Sequence, residues 1–282
     1  MTSRRHEVWG SPIQHSLSPV LHRAAHQALG VDWDYRAAEI TLETLDDAFL
    51  SLDPVVEGLS LTMPLKEAIL ELVSDHRGPV DLLHAANTAV RTEDGWWLDN
   101  TDWWGARQTL ERFGGVTGAS VWLLGAGATA RSLLFALSGL GPADVVTVVR
   151  SPDRAVVNAV LAQTLSLSHR VLRFDELSGH TSPEWVISTL PGGGFEALET
   201  VASAAGKARL FDVSYRPWPS ALAAAWRNSS SADNLGLWML ALQALAQVRA
   251  FVGGDSLLPL DNEAAVFTQM CEAVGLPHRV GE

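Results

Sequence analysis

The chain has 282 residues, of which 47% are hydrophobic, with a formal net charge of -12 and one cysteine. That length suits roughly two globular domains, each with enough apolar content for its own core. The acidic balance argues against nucleic acid or an anionic membrane as a partner, and a single thiol allows neither an internal disulfide nor a zinc-type cysteine cluster. Any anionic ligand must therefore be met by local cations. No run approaches roughly 18 uninterrupted apolar residues, and the arginines near the start have no apolar segment behind them. The expectation is an untargeted cytoplasmic protein.

The first hundred residues alternate strand-like and helix-like segments. "HEVWG" (6–10) reads as a strand, and "SPVLHRAAHQALG" (18–30) as a helix with Ser18 as N-cap, Pro19 at the first helical position and Gly30 as its stop. "WDYRA" (33–37) alternates like a strand, "LETLDDAFLSL" (42–52) is helical, and "VEGLSLTM" (56–63) returns to strand. Pro64 opens a helix, "PLKEAILELV". In "AANTAVRTEDGWWLDNTD" (85–102), Asp94-Gly95 sits between two strand-like arms and predicts a hairpin. Asp102 then either caps the segment "WWGARQTLERF" or serves as a working carboxylate; the two roles are compatible.

From Val121 the pattern is strand, glycine-rich turn, helix and strand: "VWLLGAGATARSLLFALSGLG" followed by "DVVTVVR" (144–150). Gly125, Gly127 and Ala130 make G-x-G-x-x-A, which sets backbone N–H groups and a helix N-terminus against a pyrophosphate. Alone the triplet is weak, but its β-α-β setting makes it informative. Gly125, Ala126, Gly127, Ala128 and Thr129 are thus candidate cofactor contacts. "EWVISTLPGG" (184–193) and "ARLFDVSY" (208–215) supply later strands and turns, and "NSSSADN" (228–234) is a polar loop. "NLGLWMLALQALAQVRAFVG" (234–253) is apolar nearly all round, as in a helix packed on several sides. Met239, Gln243 and Gln247 form a stripe along it.

A dinucleotide unit implies hydride transfer, and the first domain gathers neutral hydrogen-bonding residues at strand ends: Ser16, Ser18, Ser60, Thr62 and Asn87, with Lys66 and Asp102. That set suits a small polyhydroxylated substrate. The ordered motifs "GSPIQHSLSPVLH", "TMPLK", "AANTAV", "DNTDWWG", "LLGAGATA", "DVSYRPWPS" and "GLWMLALQA" resemble those of the shikimate dehydrogenase family over nearly the whole chain. The resemblance implies reversible, NADPH-dependent reduction of 3-dehydroshikimate to shikimate in the shikimate pathway of aromatic amino-acid biosynthesis. It implies Lys66 and Asp102 as the catalytic pair, and Ser16, Ser18 and Tyr215 on the substrate carboxylate. Thr62, Asn87, Asp102 and Gln243 would take the ring hydroxyls; Ser60 stands where many relatives carry asparagine. Thr189, Gly236 and Met239 would lie on the cofactor side.

The implied fold class is α/β with two domains: an N-terminal substrate-binding and catalytic domain (1–103), a Rossmann-type NADP-binding domain (104–234), and C-terminal helices (235–282) that pack back on the first domain. The implied partners are a small-molecule substrate and a monomeric or homodimeric state, with no nucleic acid and no membrane.

Two positions carry independent physical weight. A lysine in the first helical turn meets the positive end of the helix dipole, an unfavourable place that eases proton loss. An amide such as Gln243 in an apolar helix needs partners, a substrate hydroxyl or neighbouring backbone. NADP is favoured over NAD because "TVVRSPDRA" ends the second strand with Arg150, Ser151 and Arg154 rather than an acidic residue, although Val149 replaces an asparagine common among relatives, Ala128 a glycine, and Asp153 is a lesser candidate for a ribose diol.

The i, i+4 pair His22 and His26 lacks the metalloprotease glutamate and reads as ordinary helix, so no metal is expected. The tryptophans and Cys271 read as packing residues. A quinate or aminoshikimate dehydrogenase keeps the same chemistry. A non-catalytic ligand sensor and a folate-linked dehydrogenase are the other readings, opposed by the retained Lys66 and Asp102 and by the small-acid motifs "HSLSP" and "DVSY".

Overall fold

A computed structural model describes residues 4–192, 196–226 and 234–277. The chain divides into two units, Met1–Gly105 with Ala241–Glu282, and Ala106–Leu240. Apart from Asn234, the loop expected at 228–234 lies outside the described residues, as does Gly193.

In the first unit β1 (Arg5–Gly10), β2 (Asp34–Glu39) and β3 (Val56–Leu61) alternate with α1 (Ser18–Leu29) and α2 (Leu45–Leu50). Next come the short α3 (Leu65–Ala68), β4 (Asp75–His76) and α4 (Val80–Leu83), then the hairpin of β5 (Thr88–Thr92) and β6 (Gly95–Asp99), and the start of α5 (Asp102–Arg112). The six strands lie in the order β2-β1-β3-β5-β6-β4. β1 runs parallel to β2 and β3, whereas β5 is antiparallel to both β3 and β6. Thr92 faces Gly95 across the hairpin end, the turn that Asp94-Gly95 announced.

Adjacent side chains of a strand face opposite ways, yet Val8 and Trp9 of β1 are both buried. Both faces of this sheet are therefore covered. Trp9 packs with Leu59, Leu61, Leu65, Ile69 and Leu98, and Val8 with Tyr35, Trp97 and Phe251. Phe251 comes from the end of the chain, which returns to this unit.

The second unit is a five-stranded sheet, β11-β10-β7-β8-β9. It contains β7 (Ser120–Leu124), α6 (Ala128–Ser138), β8 (Asp144–Val149), α7 (Val156–Thr164), β9 (His169–Arg173), β10 (Trp185–Ser188), α8 (Leu198–Ala205), β11 (Arg209–Asp212) and α9 (Ala221–Ala225). All its pairings are parallel. Strand order reverses at β7, whose carboxyl end is the switch point where open α/β sheets bind ligands.

α10 (Leu235–Gly253) crosses from the second unit to the first, and α11 (Glu263–Ala273) packs on α1. By length and composition α10 matches a membrane span, but 83% of its apolar window is buried inside the protein. It is a core helix, consistent with its polar stripe.

Two local expectations are corrected. Ser18 is the first residue of α1 rather than its cap: Leu17 occupies the cap position, and the Ser18 N–H donates to Ser16 Oγ. Gly30 does close the helix in a left-handed conformation. The helix after Pro64 is one α-turn of 4 residues followed by a 3-10 turn at Ile69–Glu71, so little aligned dipole bears on Lys66.

Candidate active site

Lys66 and Asp102 come from separate elements, and backbone bonds hold those elements together. The Lys66 carbonyl accepts the Ala86 N–H at 2.8 Å, the Asn87 N–H reaches Asp99 O at 3.1 Å, and Asn100 Nδ2 donates to Ala85 O at 2.9 Å. The loop before β5 is thus fixed between α3 and the end of β6. Lys66 Nζ then meets Asp102 Oδ2 at 2.5 Å, with side chains only 14% and 7% exposed.

A largely buried ion pair of this kind is weak evidence for stability, because desolvation offsets much of its Coulomb attraction. Its placement is better explained by chemistry. Asp102 opens α5: Asn100 Oδ1 accepts the Asp102 N–H at 3.1 Å, and Asp102 Oδ1 accepts from Asn87 Nδ2 at 2.9 Å. Its two oxygens are thereby divided between lysine and amide.

Asn87 is the hub of the polar cluster and is only 2% exposed. Its Nδ2, with two hydrogens to give, lies within hydrogen-bond distance of Asp102 Oδ1, of Thr101 Oγ1 at 2.9 Å and of Gln243 Oε1 at 3.1 Å. Its Oδ1 accepts from Thr88 Oγ1 and from the Thr101 N–H, each at 2.8 Å. Gln243 therefore meets a side-chain amide rather than only backbone.

Ser60 is bonded on both sides within the protein. Its hydroxyl accepts from Tyr35 OH at 2.6 Å and donates to Gln247 Oε1 at 2.8 Å, so its proton is committed within the protein. Ser60 is 3% exposed. Thr62 follows β3 at the entrance to α3, its N–H bonded to Trp9 O at 2.9 Å.

Ser16 lies on the loop entering α1, and Ser18 is the first residue of that helix. Glu39, which sequence reading missed, holds that loop by accepting from Ser11 Oγ at 2.6 Å and the Ile13 N–H at 3.1 Å. These two bonds hold its carboxyl below the usual range. Thr88, Thr101 and Gln247 were also missed as site residues. The signal was present for Gln247, an amide one helical turn from Gln243 in an apolar helix.

His22 and His26 belong to a buried cluster with His6. His22 Nε2 faces Gln247 Oε1 at 3.2 Å and its ring stacks on Tyr35, while His26 Nδ1 faces Trp33 O at 3.2 Å. Burial lowers all three pKa values, that of His6 to about 3. Among the described residues no group of His, Cys, Asp and Glu could hold a metal ion.

In the second unit, Gly125 turns the chain after β7 with φ +99°, and a Cβ there would stand 2.5 Å from Thr189 Oγ1. Thr189 lies under that turn and donates to Leu124 O at 2.8 Å, which commits its hydroxyl proton to the loop. A Cβ on Gly127 would meet nothing within 4 Å, and Ala130 is fully buried against the sheet. The open side over Gly127 and the N-terminal residues Ala128 and Thr129 of α6, with Ala126 in the turn, fit a dinucleotide phosphate. Arg150 and Arg154 are exposed beyond β8, flanking Ser151.

Gly236 is required for a different reason: a Cβ would lie 2.5 Å from Asp212 O and 2.7 Å from Val213 O. Met239 is buried on the same helix. Tyr215 lies beyond β11, its carbonyl accepting from Asn234 Nδ2 at 3.1 Å.

A parallel sheet with a phosphate-binding turn, joined to an α/β unit holding a lysine–aspartate pair, defines the dinucleotide-dependent oxidoreductase class. Comparison with known proteins sharpens this. The profile of the shikimate dehydrogenase substrate binding domain matches residues 8–89. The shikimate dehydrogenase (NADP(+)) of Methanothermobacter thermautotrophicus is 32% identical over 263 residues, covering 90% of this chain and 92% of that protein. That of Methanothrix thermoacetophila is 36% identical over 265 residues, covering 92% and 95%. The crystal structure of Mycobacterium tuberculosis shikimate dehydrogenase superposes with a TM-score of 0.81 at 34% identity, covering 95% of this chain and 99% of that one. A Thermus thermophilus shikimate 5-dehydrogenase in complex with NADP(H) and shikimate gives 0.75 at 28% identity, covering 96% and 99%. The chain belongs to the shikimate dehydrogenase family.

Proposed function

We infer that the protein interconverts 3-dehydroshikimate and shikimate with NADP(H), as a cytoplasmic enzyme of aromatic amino-acid biosynthesis. The observation that carries this reading is the 2.5 Å contact of Lys66 with Asp102, whose other oxygen is held by Asn87.

When bound, NADPH supplies the hydride. In the reducing direction the carbonyl carbon gains that hydride, the carbon–oxygen π bond breaks, and Lys66 gives a proton to the developing alkoxide. In reverse, Lys66 takes the hydroxyl proton as the hydride leaves. Asp102 orients the ammonium and, with Asn87, Thr62 and Gln243, positions the ring hydroxyls. Ser16 and Ser18 bind the carboxylate. Ser60 supports this set from behind, and Arg150, Ser151 and Arg154 select the 2'-phosphate.

Steady-state assays of the purified chain test the reading with shikimate, quinate and aminoshikimate, each with NADP and NAD. The expected result is highest kcat/KM for shikimate with NADP. A higher value for quinate or aminoshikimate replaces the substrate assignment, and no turnover of any pair overturns the enzymatic reading.

A further inference from the structure

Behind the Lys66–Asp102 pair a continuous set of hydrogen bonds runs through the first unit with a fixed direction. Tyr35 OH donates to Ser60 Oγ at 2.6 Å, and Ser60 Oγ donates to Gln247 Oε1 at 2.8 Å. Gln247 Nε2 donates to Thr88 Oγ1 at 3.2 Å, and Thr88 Oγ1 to Asn87 Oδ1 at 2.8 Å. Asn87 Nδ2 then donates to Asp102 Oδ1 at 2.9 Å.

The direction follows from a group that cannot reverse. Gln247 Nε2 also donates to the backbone carbonyl of Asn87 at 2.8 Å, and a carbonyl only accepts. That bond fixes which end of the Gln247 amide faces β5. Its oxygen must then take the Ser60 proton, and His22 Nε2 must be the protonated nitrogen opposite it. With a Gln247 N–H on its lone pair, Thr88 sends its own proton to Asn87 Oδ1. The Thr101 N–H secures the same oxygen, leaving Nδ2 toward Asp102.

We propose that Gln247 is a positioning residue for the reaction: through Thr88 and the Asn87 carbonyl it sets the orientation of the Asn87 amide that polarises Asp102. This rests on the assignment of Lys66 and Asp102 as the proton-transfer pair. Gln247 is 2% exposed and Thr88 is fully buried, so both act through Asn87 rather than from the surface. Bonds in such a chain polarise one another, and losing one link weakens the donation at its end. A carboxylate with less donation from Asn87 holds a proton on the pair more tightly. Oxidation, which needs the lysine free to accept a proton, then requires higher pH.

The test compares Gln247→Met, Thr88→Val and Thr88→Ser in the full chain, by kcat, KM, the pH profile of shikimate oxidation and the melting temperature. Gln247→Met keeps length without hydrogen bonds, and Thr88→Val is nearly isosteric without the hydroxyl. The expected result is a fall in kcat on the order of tenfold for both, as for small misplacements of reacting groups. The pH profile moves upward, KM for NADP stays within about twofold, and Thr88→Ser recovers most of the rate because the hydroxyl returns. Should Gln247→Met fail to fold, the Thr88 pair decides alone. Wild-type kcat and pH profile in Thr88→Val overturn the proposal, as does equal loss in Thr88→Ser and Thr88→Val. A wild-type chain that turns over no substrate overturns the functional reading, and this inference with it.

Discussion

Ser18 shows how one residue divides between local structure and binding. As a cap it would contribute to α1, but the cap position belongs to Leu17, and the Ser18 residue is buried. Ser18→Ala should therefore raise KM for shikimate several-fold, about 1–2 kcal/mol for a bond to a charged acceptor. An unchanged KM with a lowered melting temperature would assign Ser18 to packing alone. Which residue types populate the site was legible at this scale, because serines, threonine, asparagine and lysine at strand ends are a chemical signal. Their pairing was not. From "DNTDWWG" alone the partners of Asp102 could not be read; the approach of α3 and the loop before β5, distant in sequence, brings Lys66 and Asn87 to it. The partners of Ser60 were hidden for the same reason, since Tyr35 and Gln247 lie on other elements.

Elements with a local signal were readable with little error. The β5–β6 hairpin followed from Asp94-Gly95, the end of α1 from Gly30, and the phosphate turn from glycines between an apolar strand and helix. The helix after Pro64 was not readable to its end, because its apolar residues pack into the core with Trp9 and Leu59 from a 3-10 turn as well as from an α-turn. Arg150, beyond β8, should make charge-assisted bonds to a 2'-phosphate that NAD lacks. Arg150→Ala should weaken NADP and leave NAD nearly unchanged, with a loss that shrinks as salt rises; equal losses for both cofactors would give Arg150 a general role in the loop. Gly236→Ala forces a methyl onto the backbone of Asp212 and Val213. It should cost about 1–3 kcal/mol, the range for overpacking, and a melting temperature equal to wild type would show that α10 shifts freely there.

For the whole molecule, the sequence showed that the chain ends on apolar helices, but not the buried histidine cluster to which α10 contributes. His6 stacks on Phe251 and His22 on Tyr35, and burial, with mutual repulsion, keeps their folded-state pKa values below the ordinary 6.5. The unfolded chain therefore takes up protons before the folded one does. Stability is fully present above about pH 6.5 and falls as pH drops toward the folded value, about 3 for His6, by up to about 1.4 kcal/mol per pH unit for each such histidine. Buried Asp99 and Asp212 carry raised pKa values, which oppose this loss only nearer the carboxylate range. Urea midpoints should thus fall from pH 7 to pH 5, and less steeply in His6→Phe; a flat wild-type profile would contradict the cluster's role. The central claim, that Lys66 transfers the proton with Asp102 holding it, is tested most directly by measuring kcat and the shikimate dissociation constant of Lys66→Met together. Turnover should fall by roughly a hundredfold or more, the scale of general acid–base catalysis, with binding nearly retained. Turnover close to wild type would remove Lys66 from the chemistry.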